Sequence, residues 1–464
     1  MYQKQLIIAK QPMGMGHYIR VTMKRLFFLS LLLANSSCRE NSGTFSFTVQ
    51  TSPDSDLLEQ IDKLEIELTD PPKIVSTTRT AGGISLSIDV DADNQQGQVL
   101  VRGFNASGDI IATGASPELP IAAIDAELSL FLAPPNSLTE APTPLPTPLT
   151  EAGAAALAST VLLAGGVTSD DSLSDELLFY NFLSFEFSPF LTLPDATKNA
   201  HLEASPFGAS IFIFGGDTNE WPSSSILAFD FGGIGGGSLS VSDDSALTSP
   251  IQGATLLDAN RTILSTNPAF SFDHIRRQTT RLTDERDLEN AIGARVLNAN
   301  LESNVFFLKE NQGLLLGEDG TFTEIDSPLL ENLSGGSLIA ISAHQALWLG
   351  GTRDGVLTQN GVIYDGRDQS FSLVPNLLSE SRSNPTLCVV GQNLLAVGGN
   401  DQDEALSRAV DVIDIGNLEN TGTMELPEAI SGFSLLGMPN GQALVLGGKN
   451  EQGAAISQLL VFNP

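Results

Sequence analysis

The chain has little cysteine, little tryptophan and few basic residues. It contains two cysteines, two tryptophans and 23 lysines and arginines among 464 residues, against 55 aspartates and glutamates. Two cysteines exclude a disulfide-rich scaffold and a four-cysteine zinc site. The formal net charge of −32 argues against a nucleic-acid-binding protein, because phosphate contacts need clustered lysine and arginine.

Glycine and short apolar runs are abundant instead. The chain has 43 glycines and 41% hydrophobic residues, which is too apolar for a disordered acidic polymer. At about 100–200 residues per domain, its length allows two or three domains with a large core. The composition therefore predicts an exported, mostly β protein, but it indicates no activity.

The first 37 residues have the pattern of an export signal. They include five basic residues and no acidic ones, and an apolar run at 26–34 directly follows Lys24 and Arg25. A basic start, a short apolar run and small residues after it predict a secretory signal peptide at 1–37. The run is far shorter than the ~20 residues that span a bilayer. The pattern favours Met23 as the true start, with a long basic region from Met1 as the alternative.

Cys38 lies where a bacterial lipoprotein carries its lipidated cysteine. Asn35 occupies a site where such signals usually have leucine, yet a single cysteine at this place favours lipidation. Cleavage before Ser37, which would release a periplasmic or secreted protein, is the alternative. Loss of residues 1–37 removes five positive charges and leaves a net charge of −37. Without a basic patch, we expect membrane attachment at the cell envelope only through a lipid anchor at Cys38.

Residues 43–133 contain short segments in which apolar residues recur at every second position. This alternation is typical of strands with one buried and one solvated face. The predicted strands are 45–49, 64–68, 84–90, 98–104, 110–113 and 126–132. About seven short strands in ~90 residues resemble an immunoglobulin-like β-sandwich, although the Cys…Trp…Cys signature is absent. Asp89, Asp91 and Asp93 alternate, but the glycine and glutamate of a calcium loop are missing, so we expect a solvated turn.

An apolar run that ends in Gly-Gly recurs after residue 150. The pairs are Gly165-Gly166, Gly215-Gly216, Gly350-Gly351, Gly398-Gly399 and Gly447-Gly448. They are spaced by 48–50 residues except for one gap of 135, into which two degenerate copies fit, at 261–266 and 304–310. Seven units of about 41–50 residues have the period of β-propeller repeats.

Each unit keeps the same order of segments. A polar loop follows the Gly-Gly pair, then a second apolar strand that ends near an aromatic residue or aspartate, as at Tyr180 and Tyr364, and a last strand. This pattern resembles the Kelch repeat, in which one unit forms a four-stranded blade. The resemblance covers 150–464 and implies an all-β, Kelch-type β-propeller of seven blades, with six as the alternative. It departs from the family at the usual tryptophan of the fourth strand, for which Phe187 or Phe371 substitutes.

The proline-rich segment 134–150 has the composition of a stiff linker. The last unit ends after a strand at 456–462 and lacks a fourth strand. Leu145-Pro146 lies 48 residues before Leu193-Pro194, which is one repeat earlier. We therefore predict that 137–146 supplies the outer strand of the last unit, joins the ends of the ring and covers an open sheet edge.

Candidate catalytic and metal-binding residues are scarce. His201, His274 and His344 lie in different units without metal-ligand spacing, so we expect surface or turn histidines and neither a metal nor a cofactor. Cys388 lies in an apolar run and is expected to be a buried hydrophobic residue. The basic stretch from Arg276 to Arg281 is followed by acidic residues, which favours a solvated face over an anion site.

The favoured function is a non-catalytic binding or scaffold protein that presents its propeller to a protein or a glycan. The recognition residues are then expected on the loops after the Gly-Gly pairs, where Asp217, Trp221, Asn400 and Asp401 lie. The Kelch resemblance also implies an alternative, a carbohydrate-active enzyme such as those that convert sialic-acid anomers. That enzyme needs acidic and basic groups that converge on the central opening, so the residues lining this opening distinguish the two functions.

Overall fold

The computed structural model describes residues 42–70, 72–78, 86–91, 96–120, 126–232, 236–242, 247 and 249–464. The predicted signal peptide at 1–37, Cys38 and Asp93 lie outside these residues. The described chain is nearly all β, with a single short helix at Leu57–Gln60. The prediction of a mostly β protein is confirmed.

The N-terminal part contains two sheets that share one core. The four-stranded sheet consists, in spatial order, of Pro72–Thr78, Lys63–Thr69, Val99–Phe104 and Ile110–Ala115. The three-stranded sheet consists of Leu86–Asp91, Ser42–Gln50 and Ala126–Phe131. Ile66 and Val101 of the first sheet pack in one cluster with Leu128 and Leu130 of the second. The strand Pro72–Thr78 was not predicted from the sequence; it is an edge strand, and such strands tolerate a proline at their first residue.

Seven four-stranded antiparallel sheets follow between residues 137 and 463; we number them sheet 1 to sheet 7. Sheet 1 consists of Gly153–Leu157, Thr160–Ala164, Glu176–Asn181 and Glu186–Thr192. Sheet 2 consists of His201–Ala204, Ser210–Phe214, Ile226–Gly232 and Gly236–Ser242. Sheet 3 consists of Ala254–Leu256, Arg261–Leu264, Phe270–Asp273 and Gln278–Arg281.

Sheets 4 to 6 repeat the same order of strands. Sheet 4 consists of Ile292–Leu297, Ser303–Lys309, Gln312–Leu316 and Phe322–Ile325. Sheet 5 consists of Ser337–Ala340, Gln345–Leu349, Gly361–Asp365 and Ser370–Val374. Sheet 6 consists of Thr386–Val390, Asn393–Val397, Ala409–Asp414 and Glu419–Glu425. The degenerate copies predicted at 261–266 and 304–310 supply the second strands of sheets 3 and 4.

Sheet 7 takes its strands from both ends of the repeat region. Ser434–Gly437, Ala443–Leu446 and Leu459–Asn463 are followed in space by Ser137–Glu140. Ser137–Glu140 pairs antiparallel with Leu459–Asn463, with Thr139 opposite Val461. This pairing was expected from the position of Leu145-Pro146, but the strand ends at Glu140 and does not extend to 146 as predicted. The following residues continue along the sheet, since the Ala141 amide donates to the Leu459 carbonyl at 2.8 Å.

The first strands of the seven sheets contact one another in a closed order. Each touches the first strand of the next sheet, and that of sheet 7 touches that of sheet 1. The second strands lie behind them with neighbouring sheets on both faces, and residues 161–164 of sheet 1 are at most 1% exposed. Burial on both faces explains why these strands are continuous apolar runs rather than alternating ones.

Short strand pairs tie the loops of this ring together. One joins Thr197–Lys198 to Asp217–Thr218, and another joins Ile430–Ser431 to Lys449–Asn450. A third joins Leu333–Ser334 to Thr352–Arg353, which also pairs with Val356–Leu357. A similar pair in the N-terminal part joins Gln96–Gly97 to Leu119–Pro120. The first three pairs connect the segment that enters one sheet with the loop that follows a Gly-Gly pair. These loops are therefore fixed by backbone hydrogen bonds.

Asn463 connects sheet 7 to the N-terminal sheets. Its side chain is 3% exposed, and Nδ2 donates to Thr113 Oγ1 at 2.8 Å and to the Ala133 carbonyl at 3.0 Å. Its Oδ1 accepts from Gln442 Nε2 at 3.0 Å. Both the amide nitrogen and the oxygen of the Asn463 side chain thus have hydrogen-bond partners. These bonds hold Asn463 against Thr113 and against Ala133, which directly precedes segment 134–150.

The Gly-Gly pairs adopt a backbone conformation that other residues avoid. Gly447 has φ 62° and Gly448 has φ 111°. The Gly448 amide donates to the Leu149 carbonyl at 2.8 Å, and a Cβ on Gly447 would collide with that same carbonyl oxygen. A side chain at Gly447 therefore meets both the left-handed backbone and the approaching segment.

Replacement of Gly447 with alanine is expected to lower the free energy of unfolding by about 2–5 kcal/mol, from left-handed strain and the collision with Leu149. Gly453 is the matched control in the same sheet, because it has φ 81° and no other group within 4 Å of the place that a Cβ would take. Gly453→Ala is expected to cost only the conformational part, about 1–2 kcal/mol. Urea unfolding followed by circular dichroism measures both, and equal losses would contradict the collision.

The fourth strands of sheets 1 and 5 carry phenylalanine at the expected aromatic position. Phe187 packs on Tyr180 with ring centroids 4.7 Å apart, and Phe371 packs on Tyr364 at 5.1 Å. Both tyrosines are about 1% exposed. The two phenylalanines thus pack against the third strand of their own sheets.

Candidate functional site

The first strands of the seven sheets surround a cavity of about 860 Å³. Its wall consists mainly of small and aliphatic residues, among them Ala152, Ala200, Ala254, Gly293, Ala340 and Leu436. Among the described residues that line it, the titratable side chains are His201, Glu203 and Arg295. The opening is therefore a largely apolar channel with three titratable groups on its wall.

Two of these groups are held by the wall itself. Arg295 Nε donates to Ser303 Oγ at 2.8 Å, a contact to the second strand of its own sheet. Burial lowers the pKa of His201, opposed in part by a hydrogen bond with the Gln252 backbone and by the charge of Asp217. At neutral pH His201 is therefore an uncharged side chain bound to the segment that enters sheet 3.

Glu203 belongs to a buried chain of three side chains between sheets 2 and 3. Thr262 Oγ1 donates to Glu203 Oε2 at 2.7 Å and lies 2.8 Å from His274 Nε2. Burial raises the pKa of Glu203 to about 7, offset in part by the bond from Thr262. Glu203 Oε1 and His274 Nδ1 are buried and have no hydrogen-bond partner in the described part of the chain. A carboxylate with one unsatisfied oxygen explains why protonation is favoured here.

His274 lies in the turn at 274–277, which fits the expectation of a surface or turn histidine, but its side chain is buried. It is 4% exposed, and its ring centroid lies 4.9 Å from that of Phe212 in sheet 2. Burial lowers the pKa of His274, opposed by the charges of Asp258 and Asp273. His344 is half-buried, with Nδ1 2.9 Å from the Leu297 carbonyl. His274 is buried because sheet 3 packs on sheet 2, and no local pattern in the sequence predicts this packing.

Stability should depend on pH through Glu203. Its pKa of about 7 lies above the ordinary value of 4.5, so the folded protein binds more protons than the unfolded chain between these values. The contribution is complete below pH 4.5 and is lost as pH rises through 7. Glu203→Gln keeps an oxygen for Thr262 and removes the titration, so the variant is expected to be about 1–3 kcal/mol more stable than wild type at pH 8.

The check is urea unfolding of wild type and Glu203→Gln at pH 5 and pH 8. The exposed Glu310 provides a control, and Glu310→Gln is expected to follow wild type at both pH values. A difference between Glu203→Gln and wild type that is the same at pH 5 and pH 8 would contradict a raised pKa.

The predicted binding residues fall into two groups. Asn400 Nδ2 donates to the Glu404 carbonyl at 3.0 Å, and Asp401 Oδ1 accepts from the amides of Asp403 and Ala405 at 2.8 and 3.0 Å. Asn450 plays the same part in sheet 7, with its Oδ1 accepting from Gln452 and Ala454. Both Asn400 and Asp401 therefore use their side chains to shape their own loop; whether they also bind a partner stays a prediction.

Asp217 and Trp221 lie in the loop after the Gly-Gly pair of sheet 2. Asp217 Oδ2 accepts from Asn199 Nδ2 at 3.0 Å, which ties this loop to the entry of the same sheet. Trp221 is 77% exposed. It borders a cavity of about 470 Å³ that the loop forms with Asp195 and Ala196. Of the four predicted residues, Trp221 presents the largest free surface.

The basic stretch after Arg276 is neutralised by carboxylates. Arg277 forms an ion pair with Asp230 of sheet 2, with Nη1 2.8 Å from Oδ2. Arg281 pairs with Glu285 at 2.8 Å. These cations lie in ion pairs, which agrees with the mixed-charge solvated face predicted from the sequence. Cys388 is 8% exposed, as expected, and burial raises the pKa of its thiol to about 12.

Within the described ranges, no group of three or more histidine, cysteine, aspartate or glutamate side chains could hold a metal ion. The Glu203–Thr262–His274 chain was not predicted from the sequence. These residues are 12 and 59 positions apart and follow no motif. The alternation of His201 and Glu203 on one strand was the sole local signal, and it is common in surface strands.

Comparison with known proteins adds little to this geometry. No protein-family model and no curated protein matches the chain. Among solved structures, the chain is similar to the one titled "Structure of YjhT", with 11% identity and a TM-score of 0.41. The match covers 69% of this chain and 96% of that one. At this level of similarity the fold has to be derived from the sheets themselves.

Proposed function

We propose that residues 150–464, closed by Ser137–Glu140, form a seven-bladed Kelch-type β-propeller that follows an immunoglobulin-like β-sandwich at 43–133. The propeller is supported by seven four-stranded sheets whose first strands contact one another in a closed order. The recurrent Gly-Gly pairs with positive φ support the Kelch type. The sandwich is supported by the shared core of the two N-terminal sheets.

The function that the geometry supports best is that of a non-catalytic binding or scaffold protein. The lining of the central cavity carries this proposal, because it is mainly small and aliphatic and its titratable groups contact the wall. Acid–base catalysis needs groups that are free to reach a substrate. A closed ring of sheets with variable loops suits recognition, with the ligand on the loops.

The protein is proposed to act at the bacterial cell envelope, lipid-anchored at Cys38. Support comes from the sequence of residues 1–38. No helix in the described ranges is long and apolar enough to cross a membrane. Mass spectrometry of the mature N-terminus tests the proposal. An acylated Cys38 is expected, whereas a mature end at Ser37 or an unmodified Cys38 would contradict it.

A carbohydrate-active enzyme that converts sialic-acid anomers is the second candidate. One observation favours it, since Glu203, whose pKa is raised to about 7 by burial, lines the central cavity together with Arg295. The test is the anomer exchange rate of N-acetylneuraminic acid, measured by NMR with wild type, Glu203→Gln and Arg295→Met. A binding protein leaves the rate at its buffer value. Acceleration that both variants lose would overturn the non-catalytic function.

A further inference from the structure

The two tryptophans of the chain occupy opposite environments. Trp221 is 77% exposed, more than any other large hydrophobic side chain in the described ranges, whereas Trp348 in sheet 5 is 4% exposed. A single exposed aromatic side chain is common on protein surfaces, so the case for a ligand depends on the groups beside it. What lies beside Trp221 therefore defines the chemistry of that ligand.

Trp221 forms one side of the cavity of about 470 Å³, a size within the range of small-molecule sites. The rest of the wall is polar and comprises Asp195, Thr218, Asn219, Glu220, Ser223 and Ser224, with Ala196 and Pro222. The side chains of Asp195, Asn219 and Glu220 are exposed, so their polar groups can reach a ligand in this cavity.

The loop that carries Trp221 is held in place before any ligand binds. Thr218 Oγ1 donates to the Trp221 carbonyl at 2.7 Å, and Asp217 forms an isolated bridge with Pro222. Asp217–Thr218 also pairs with Thr197–Lys198. Because the loop is already ordered, binding a ligand costs little loop entropy. A ligand that makes few contacts can therefore still bind.

The groove combines an aromatic face with hydrogen-bonding carboxylate, amide and hydroxyl groups. The face of an indole carries negative potential and attracts the weakly positive C–H groups of a sugar ring, while carboxylate and amide oxygens accept from its hydroxyls. Asp195 and Glu220 bring two negative charges, and no lysine or arginine is among the lining residues. An anionic sugar would be repelled, so among saccharides the groove fits a neutral one.

An apolar pocket continues this groove toward the core of sheet 2. It has a volume of about 130 Å³, shares Asp195, Thr218 and Ser223 with the groove, and has Ile213 and Leu227 in its wall. Because they share these lining residues, the two spaces are adjacent, and a ligand can extend from one into the other. We propose that the Trp221 groove binds a neutral oligosaccharide; this inference rests on the proposed binding function and names its ligand class.

The experiment measures binding of maltohexaose, cellohexaose and chitohexaose to the full chain by calorimetry and by tryptophan emission. Because Trp348 is buried, a ligand-dependent emission change reports Trp221. At least one hexasaccharide is expected to bind and shift the emission to shorter wavelength. Trp221→Ala is expected to weaken binding about tenfold or more, and Trp221→Phe, which keeps an aromatic face, much less.

Phe207→Ala provides the matched control, because Phe207 is 55% exposed in another loop of sheet 2. It is expected to bind as wild type does. Sialyllactose is expected to bind at least about tenfold more weakly than the best neutral sugar, since it brings a carboxylate to an acidic groove. No binding of any neutral hexasaccharide, binding unchanged in Trp221→Ala, or tighter binding of sialyllactose would each overturn the proposal.

The outcome is independent of the test of the proposed function. Absent saccharide binding together with a buffer-like anomer exchange rate overturns the oligosaccharide site and leaves the binding function in place. Acceleration of anomer exchange overturns the non-catalytic function, whatever the Trp221 variants show.

Discussion

Replacement of Arg382 with methionine is expected to lower the free energy of unfolding by about 3–5 kcal/mol, the typical cost of removing one partner of a buried ion pair. Arg382 and Asp411 are both 0% exposed, and Arg382 Nη1 lies 2.8 Å from Asp411 Oδ2. The contact is ionic and does not form a well-directed hydrogen bond. Methionine fills a similar volume, so the expected loss comes from the carboxylate left without its counter-charge.

The pair joins the segment that enters sheet 6 to the third strand of that sheet. Arg382 Nη2 also donates to the Ala396 carbonyl at 2.9 Å. Asp411 Oδ1 accepts from three groups, the Ser379 amide at 3.1 Å, Asn420 Nδ2 at 2.7 Å and Thr423 Oγ1 at 3.1 Å. These bonds fix the position of Asp411 independently of Arg382, so the charge cannot move to solvent when the arginine is removed.

Urea unfolding of Arg382→Met, Asp411→Asn and the double variant measures the coupling. Because the double variant contains no uncompensated charge, we expect it to lose less than the sum of the two single changes. Arg408, whose side chain is 47% exposed and pairs with Glu425 at 3.1 Å, provides a surface control. Arg408→Met is expected to cost about 0–1 kcal/mol. Equal losses for Arg382→Met and Arg408→Met would contradict the role of burial.

Replacement of Thr139 with proline is expected to open the ring at sheet 7. The Ala141 amide donates to the Leu459 carbonyl, which makes residues 141 and 459 a hydrogen-bonded pair. Antiparallel pairs alternate, so Thr139 and Val461 form the next hydrogen-bonded pair and Glu140 faces Leu460 without one. Proline at 139 removes a ladder bond and leaves the Val461 carbonyl unsatisfied, at a cost of about 2–4 kcal/mol.

Glu140→Pro is the matched control, one residue away on the same edge strand. Its amide points away from Leu459–Asn463, and proline is tolerated at such positions. We expect Glu140→Pro to unfold close to wild type and Thr139→Pro to unfold at lower urea concentration. Limited proteolysis offers a second readout, with faster cleavage of the C-terminal strand in Thr139→Pro only. Equal behaviour of the two variants would show that Ser137–Glu140 does not hold the ring closed.

Local patterns predicted most of the strands. The alternation at 64–68 and 98–104 corresponds to the strands Lys63–Thr69 and Val99–Phe104. The apolar run before Gly165-Gly166 corresponds to Thr160–Ala164, the second strand of sheet 1. The counting of repeats even placed Ser137–Glu140 beside Leu459–Asn463, because the number of strands per unit is constant. The sequence did not indicate that the chain beyond 146 would also be buried, with Leu149 2% exposed.

The candidate sites were predicted less completely. Trp221 was selected by its place after a Gly-Gly pair, and its exposure fits that choice. Asn400 and Asp401 were selected by the same rule, yet their side chains bond within their own loop. Every loop after a Gly-Gly pair has the same position in the repeat. Whether a side chain is exposed also depends on whether it forms hydrogen bonds within its own loop.

The sequence by itself determined that this protein is mostly β, since strand alternation is a local property that needs no distant partner. Its scarcity of cysteine, tryptophan and basic residues also excluded several functions on composition alone. Only the tertiary structure decided which polar side chains from distant segments contact one another. Arg382 reaches Asp411, and Glu203 reaches Thr262 and then His274, because sheets pack side by side and bury polar groups from distant segments against one another. Burial sets the charge state of such groups, and burial is a property of the assembled ring.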